Sequence, residues 1–365
     1  MHTCRAALVE ELHAPLAVVD DLEVATPGPG EVLVRLGASG VCRSDLHSKG
    51  DLGDIVAVPS MLGHEGAGTV EQVGAGVGGV KVGDRVVLSW VAPCGGCGMC
   101  AQELPALCQD QGLFLEGLMA DGTSRFSHQG RSVRHYCSST FSELTVVPAA
   151  CAVPVATDLP WEALALVGCA VTTGVGAVLN SARVQPGQSV AVIGAGGVGL
   201  SAVQGARIAG AGRIIAVDTN PAKLELARGL GATDVVDASA TDPVEAVLAL
   251  TGGVDHAFEA LGHVATIEQA IAMTRPTGRA TLIGMAMPDQ RPGLPALDVV
   301  VGERVVAGSW YGSFLPARDW PRIVGWLESG DLVLDDLIER ITLDDVNRAF
   351  DRIRSGEAAR QVIVY

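Results

Sequence analysis

The pattern of apolar and polar positions divides the chain into two parts of different grain. From Met1 to about Pro160 the apolar runs are short and broken by glycine and proline. Glu31 to Leu36, Gly68 to Val73, Arg85 to Trp90 and Phe141 to Val147 each read as a strand, so this part is β-rich with few long helices. The stretches Pro27 to Glu31 and Lys81 to Arg85 mark turns that lead into strands. The uncharged run Ala163 to Ala182 is long enough to raise the question of a membrane span. Its three glycines, two threonines, Asn180 and Ser181 favour a buried helix of a folded domain instead.

A second pattern begins at Ser189. Val190 to Ile193 is a short apolar run suited to a strand buried on both faces, and it is followed by Gly194, Gly196 and Gly199 in the order GxGxxG. In such a unit the first glycine permits a sharp turn and the second lets backbone approach a pyrophosphate. The third lets the following helix pack closely on the strand, and the helix N-terminus favours the phosphate charge. A further apolar run, Arg213 to Val217, ends in Asp218, 19 residues beyond Gly199, where a carboxylate can accept from adenosine ribose hydroxyls. Asn220 is the better helix cap, with Pro221 in the first helical position, which leaves Asp218 for the ribose. Asp218 would repel a 2′-phosphate and Thr219 adds no positive charge, so NAD is expected over NADP. Ala257 to Glu259 and Ala280 to Gly284 are further strand candidates of the same α/β region.

A chain of 365 residues has room for two or three domains, and 48% hydrophobic against 18% charged residues excludes wholesale disorder. A formal charge of −16 argues against nucleic acid and against an anionic membrane surface as partners. No N-terminal stretch joins a basic region to an apolar core, so a cytoplasmic protein is expected. Nine cysteines are many for a reducing compartment, but four of them fall within 15 residues. Cys94, Cys97, Cys100 and Cys108 have the spacing C-x2-C-x2-C-x7-C in a glycine-rich stretch. Four thiolates fill a tetrahedral shell and leave no place for substrate, so a zinc here is structural, and the spacing and the lack of any other redox signature favour it over an iron–sulfur cluster. Cys42 and His64, in GVCRSDLH and GHEGAG, are candidates for a second site, with Cys169 of VGCAVTTG as a third ligand. Two cysteines and one histidine form a known catalytic zinc set, but each also has an ordinary structural explanation, and sequence distance leaves both readings open.

The order of a GHE histidine, a four-cysteine lobe, a GCAVTTG cysteine and GAGGVG resembles the zinc-dependent medium-chain alcohol dehydrogenases over nearly the whole chain. DGTSRF at Asp121, STFSE at Ser139 and VDTNPAKLELARGLGATD at Val217 extend the match. The resemblance implies an α/β protein with a distorted-barrel, GroES-like catalytic domain from residues 1–170 and 310–365. A Rossmann NAD-binding domain of residues 171–309 is inserted into it. It implies one catalytic zinc on Cys42, His64 and Cys169 and one structural zinc on the four-cysteine lobe, with Asp45 and Glu65 orienting the catalytic ligands. An alcohol oxygen takes the open zinc position, hydride passes to the nicotinamide, and the proton leaves through Ser44 and the cofactor ribose to His47. Arg43 and Arg360 are implied as phosphate contacts, Lys223 as a ribose contact, and Thr173, Gly197 and Val198 as further cofactor neighbours. Trp90, Tyr136 and Cys137 match pocket positions, and a bulky Trp90 favours primary over branched secondary alcohols.

The glutathione-type formaldehyde dehydrogenases carry His-Thr after the first zinc cysteine where this chain has Arg43-Ser44, which counts against oxidation of thiol–formaldehyde adducts without excluding it. A catalytically silent nucleotide-binding protein is the alternative of another class. The retained segment Leu113 to His135, and the strand candidate Arg304 to Trp310 at the edge through which family dimers join, imply a homodimer. The expected partner is a small alcohol or aldehyde, with neither nucleic acid nor membrane involved.

Overall fold

The computed structural model describes residues 1–51, 56–110, 116–356 and 360–365. They form two compact units. The first is built from Met1–Cys169, Leu315–Gly330 and Leu334–Tyr365, and the second from Ala170–Phe314 with Asp331–Val333.

In the first unit the strands His2–Val9, Ala17–Val24, Phe126–His128, Arg131–His135 and Ser60–Met61 close into a small barrel. Leu8, Leu22, Met61, Phe126 and Val133 from its strands form one core cluster with Leu33 of strand Glu31–Gly40. A second sheet runs in the order Ala152–Pro154, Arg85–Leu88, Glu65–Val73, Glu31–Gly40, Arg360–Val364 and Ile338–Ile341, and Leu144–Pro148 also pairs with Glu31–Gly40. The strand reading of the first part therefore holds, with shifted ends. Glu31 to Leu36 continues to Gly40, and Gly68 to Val73 begins earlier, at Glu65. Phe141 is not in a strand but fully buried beside one. The antiparallel register sets Gly40 opposite Glu65, so the residues just past Gly40 and just before Glu65 leave the sheet side by side.

The run from Ala163 lies in one continuous helical stretch, Trp161–Ala182, with a mean hydropathy of 1.8, and its most apolar part is 89% buried inside the protein. Its apolar length is thus spent on core packing. Two turns of it, Val167–Val171 and Ala177–Ala182, are widened to π-helical spacing.

The second unit is a parallel sheet in the order Asp234–Asp237, Arg213–Asp218, Ser189–Ile193, Val254–Glu259, Thr274–Leu282 and Val305–Gly308. Ala191, Ile193, Ile215, Val217 and Ala257 are buried in its core, as strands covered on both faces require. Helices Gly197–Ile208, Pro221–Gly229, Pro243–Thr251 and Val264–Ala272 connect the strands. Asn220 caps the second of these by accepting from Ala222 N at 3.0 Å, with Pro221 in its first turn.

Candidate functional site

Cys42 follows the end of strand Glu31–Gly40 and caps the short helix Arg43–Leu46. His64 immediately precedes strand Glu65–Val73, the neighbour of that strand. Cys169 sits in the widened turn Val167–Val171, an irregularity found often at functional positions because it rotates one side chain out of the helical sequence. Gly168 lets that turn come close, because a Cβ there would stand 2.8 Å from the Leu88 carbonyl oxygen. The result brings one ligand-type atom each from Cys42, His64, Glu65 and Cys169 within 4.8 Å of one another, all four buried.

Asp45 organises the group. Its Oδ1 accepts from Gly63 N at 3.1 Å and lies 2.9 Å from His64 Nδ1, and its Oδ2 accepts from Cys42 N at 3.1 Å. One carboxylate thus fixes two donor residues and leaves the other ring nitrogen of His64 for a cation. Glu65, expected to orient the ligands, places a carboxylate oxygen within 4.8 Å of the Cys42, His64 and Cys169 donor atoms. Both its oxygens accept from Arg360 Nη2 at 2.6 Å, and a Cβ on Gly40 would occupy the position of its Oε2. Arg360, which the resemblance implies as a phosphate contact, makes this bond to Glu65 through Nη2, with the side chain 14% exposed.

The Cys169 thiol donates toward Cys42, which holds Cys42 well below the ordinary thiol range and Cys169 well above it. Burial opposes charge on His64, but the Asp45 carboxylate and Cys42 outweigh it and raise the imidazole well above its usual value. Burial pushes Glu65 up to about 7 against the pull of Arg360. Two thiols, an imidazole and a carboxylate in one dry pocket fit a divalent soft-to-borderline metal, which replaces the protons on release. Zinc fits this donor set.

Other expected residues fall around the group in different ways. Ser44 Oγ lies 3.8 Å from Cys42 Sγ. His47 starts the next turn, His47–Asp51, half-buried, and Arg43 is exposed. The Tyr136 ring meets His64 edge-on, with centroids 6.1 Å apart, and its hydroxyl is 2.7 Å from Ser48 Oγ. Ser48 Oγ also donates to the Ser44 carbonyl at 2.9 Å, a link from Tyr136 to the Ser44 turn that the sequence does not signal. Trp90 is buried just past strand Arg85–Leu88. Cys137 is buried with φ 53°, and burial together with Asp45 pushes its thiol well up. Part of the expected segment Leu113 to His135, residues 113–115, lies outside the described residues.

The four-cysteine lobe also gathers. The sulfurs of Cys94, Cys97, Cys100 and Cys108 lie within 4.8 Å of one another. Cys97 Sγ accepts from Gln109 N and Cys100 N, both at 3.5 Å, and Cys108 Sγ accepts from Cys94 N at 3.3 Å. The Gln109 and Cys100 N–H groups bring the Cys97 thiol down to about 6, so a thiolate is ready at neutral pH. A closed set of four sulfurs on the surface of the unit fits a structural zinc.

In the second unit the glycine turn has the geometry expected of it. Gly194 has φ 95°, and Gly196 caps the helix Gly197–Ile208. Nothing lies within 4 Å of a Cβ built on Gly196, which leaves space for a ligand there. A Cβ on Gly199 would collide with the Gly194 carbonyl oxygen. Gly197, Val198 and Thr173 are half-buried, and a Cβ on Gly174, next to Thr173, would collide with the Val198 carbonyl oxygen. Lys223 is half-buried on its helix. Asp218 is less free than the sequence suggests: Oδ2 accepts from Ala195 N at 2.7 Å and Oδ1 from Asn220 N at 2.9 Å. Each oxygen keeps a second lone pair, so the carboxylate both ties down the glycine turn and can still accept from hydroxyls.

Zinc-type donor sets in one GroES-like unit, together with a second unit that carries the glycine turn, define the class, and similar proteins agree with it. The family model of the alcohol dehydrogenase GroES-like domain matches residues 28–157, and that of the zinc-binding dehydrogenases matches residues 197–329. The chain belongs to the zinc-dependent medium-chain alcohol dehydrogenase family, and is an NAD-linked oxidoreductase of the alcohol dehydrogenase type. It is similar to the S-(hydroxymethyl)glutathione dehydrogenase of Synechocystis, with 42% identity over 99% of each chain. Among solved structures it is similar to an alcohol dehydrogenase zinc-binding domain protein from Burkholderia ambifaria, with TM-score 0.96, 34% identity and coverage of 100% and 99%. It is also similar to benzyl alcohol dehydrogenase from Acinetobacter calcoaceticus, with TM-score 0.95, 31% identity and the same coverage.

Proposed function

We propose that the protein oxidises a primary alcohol, aromatic or of medium chain length, to the aldehyde with NAD as acceptor, and catalyses the reverse reduction. The observation that carries this reading is the buried group of Cys42, His64 and Cys169, with Asp45 on the outer nitrogen of the histidine. Zinc held there supplies a Lewis acid that makes the alcohol oxygen more acidic, and NAD supplies the acceptor for the hydride. The chain's own residues do the rest. Asp45 orients His64, and the two thiols hold the metal against loss. Ser44, beside Cys42, would accept the hydroxyl proton as it gives its own to the cofactor ribose, from which His47 would pass a proton to solvent. Arg43 meets the dinucleotide's phosphates, and Asp218 accepts from the ribose and disfavours a 2′-phosphate. The bulk of Trp90 and Tyr136, both buried and implied by the resemblance as pocket residues, is taken to favour an uncharged ring or chain.

A second reading is oxidation of an S-hydroxymethyl thiol, which is also a primary alcohol carbon. The 42% identity to S-(hydroxymethyl)glutathione dehydrogenases favours it, and the Arg43-Ser44 pair counts against it. Steady-state turnover of benzyl and medium-chain alcohols, compared with S-hydroxymethyl thiols and with NAD against NADP, separates the two. The expected result is higher kcat/KM on the alcohols with NAD, with two zinc ions per chain by elemental analysis. Activity confined to the thiol adducts would replace the first reading with the second.

The protein is further proposed to work in the cytoplasm as a homodimer. Val305–Gly308 is an edge strand, and the neighbouring helix Ala296–Val301 exposes Leu297, Val300 and Val301 by 74%, 73% and 76%. Light scattering should give twice the chain mass, and substituting Val300 and Val301 with Lys should return it to one.

A further inference from the structure

The parallel sheet reverses its strand order between Ser189–Ile193 and Val254–Glu259. In an open sheet of this kind a ligand lies outside the carboxyl ends of the strands at that reversal. One side of the crevice is the glycine turn. The other is the loop that follows Val254–Glu259, and a single carboxylate shapes it.

Glu259, the last residue of that strand, is fully buried at 0% exposure and pairs with Ile193, the last residue of the strand before the glycine turn. Its Oε1 accepts from Leu261 N at 2.9 Å, Gly262 N at 2.8 Å and Thr266 Oγ1 at 2.7 Å, and its Oε2 accepts again from Gly262 N at 3.1 Å. The Glu259 carbonyl accepts from Ile283 N at 2.8 Å and Gly284 N at 3.0 Å, which ties the same residue to the adjacent strand's exit. All these side-chain partners are uncharged. Three donors converge on one side-chain oxygen, Oε1.

The loop so held lies against the glycine turn. A Cβ on Gly194 would stand 2.7 Å from the Leu261 side chain, and Gly262, at φ 83°, abuts the Met285 carbonyl. Leu261 thus backs the first glycine of GxGxxG, and Glu259 sets where Leu261 stands.

We infer that Glu259 is a positioning residue for the dinucleotide: through Leu261, Gly262 and Thr266 it fixes the wall of the crevice opposite the glycine turn and so sets NAD affinity. The inference rests on the reading of this unit as the NAD site. The test is fluorescence titration of NADH on the zinc-loaded wild type, Glu259→Ala, Glu259→Gln and Thr266→Val, well below their unfolding temperatures, together with steady-state kinetics. Glu259→Ala should weaken NADH binding tenfold or more and raise KM for NAD in proportion. Its kcat and KM for alcohol at saturating NAD should stay within about twofold of wild type. Glu259→Gln keeps one oxygen toward the three donors and should recover most of the affinity. Thr266→Val, a milder change that covers the case of an unfolded Glu259→Ala, should weaken NADH two- to fivefold. Folded Glu259→Ala or Thr266→Val with a lower melting temperature but unchanged NADH affinity would reduce Glu259 to a structural residue and overturn the inference. Wild type that binds no NADH would overturn the nucleotide reading, and the inference with it.

Discussion

Asp45 serves three groups with one carboxylate: the Cys42 and Gly63 N–H groups and the His64 ring. The backbone bonds place two ligands, and the ring bond settles which nitrogen faces the metal. Asp45→Asn keeps an acceptor of the same shape but loses the charge that supports the imidazole. It should lower zinc affinity at the Cys42 site by roughly 10- to 100-fold and leave the four-cysteine lobe loaded. Competition against a graded chelator reads this directly, as the loss of one zinc per chain at chelator levels that the wild type withstands. At this scale the sequence was legible where spacing is local: Asp45 lies three residues from Cys42, and Cys94 to Cys108 lie on one short segment. It was not legible where partners come from afar. Arg360 and Glu65 are 295 residues apart, and only the pairing of Arg360–Val364 with Glu31–Gly40, itself beside Glu65–Val73, brings them together.

The element that carries the nucleotide reading is the strand–turn–helix from Ser189 to Ile208. Its glycines are not interchangeable. Gly196 has space for a side chain in the protein alone, whereas Gly199 has none, because the Gly194 carbonyl already occupies the position of a Cβ. Gly199→Ala must therefore lift the helix from the strand. It should cost about 1–3 kcal/mol of stability, as overpacking does, and abolish measurable NADH binding in the folded fraction. Gly196→Ala should leave the melting temperature nearly unchanged and weaken NADH alone. Thermal melts beside NADH titrations separate the two. This element was the clearest feature of the sequence, because a strand, three glycines and a terminal acid are all short-range. The long stretch Trp161–Ala182 was legible as a helix, but its widened turn at Val167–Val171 was not, since nothing in the apolar pattern distinguishes π spacing from α.

For the whole molecule the acid limit of stability is set in part by His135. Burial, aided by the Arg125 charge, brings this imidazole down to about 3, and its Nε2 accepts from Arg125 N at 3.2 Å as a neutral ring. The ordinary value is 6.5. Between those limits the unfolded chain holds a proton that the folded one does not, so stability is complete above pH 6.5 and falls as pH drops toward 3. Its slope from this residue approaches about 1.4 kcal/mol per pH unit. Urea titrations at a series of pH values should show a flatter decline for His135→Gln than for the wild type, once their neutral-pH stabilities are aligned.

The chain assigns Cys169 to the end of one compact unit and Ala170 to the start of the other. Recombination that exchanged nucleotide units between relatives at this join would separate the third ligand from half of the turn Val167–Val171 that aims it. Chimeras are therefore expected to stay active only when the crossover falls before Trp161 or after Ala182, so that the helix is inherited whole from one parent.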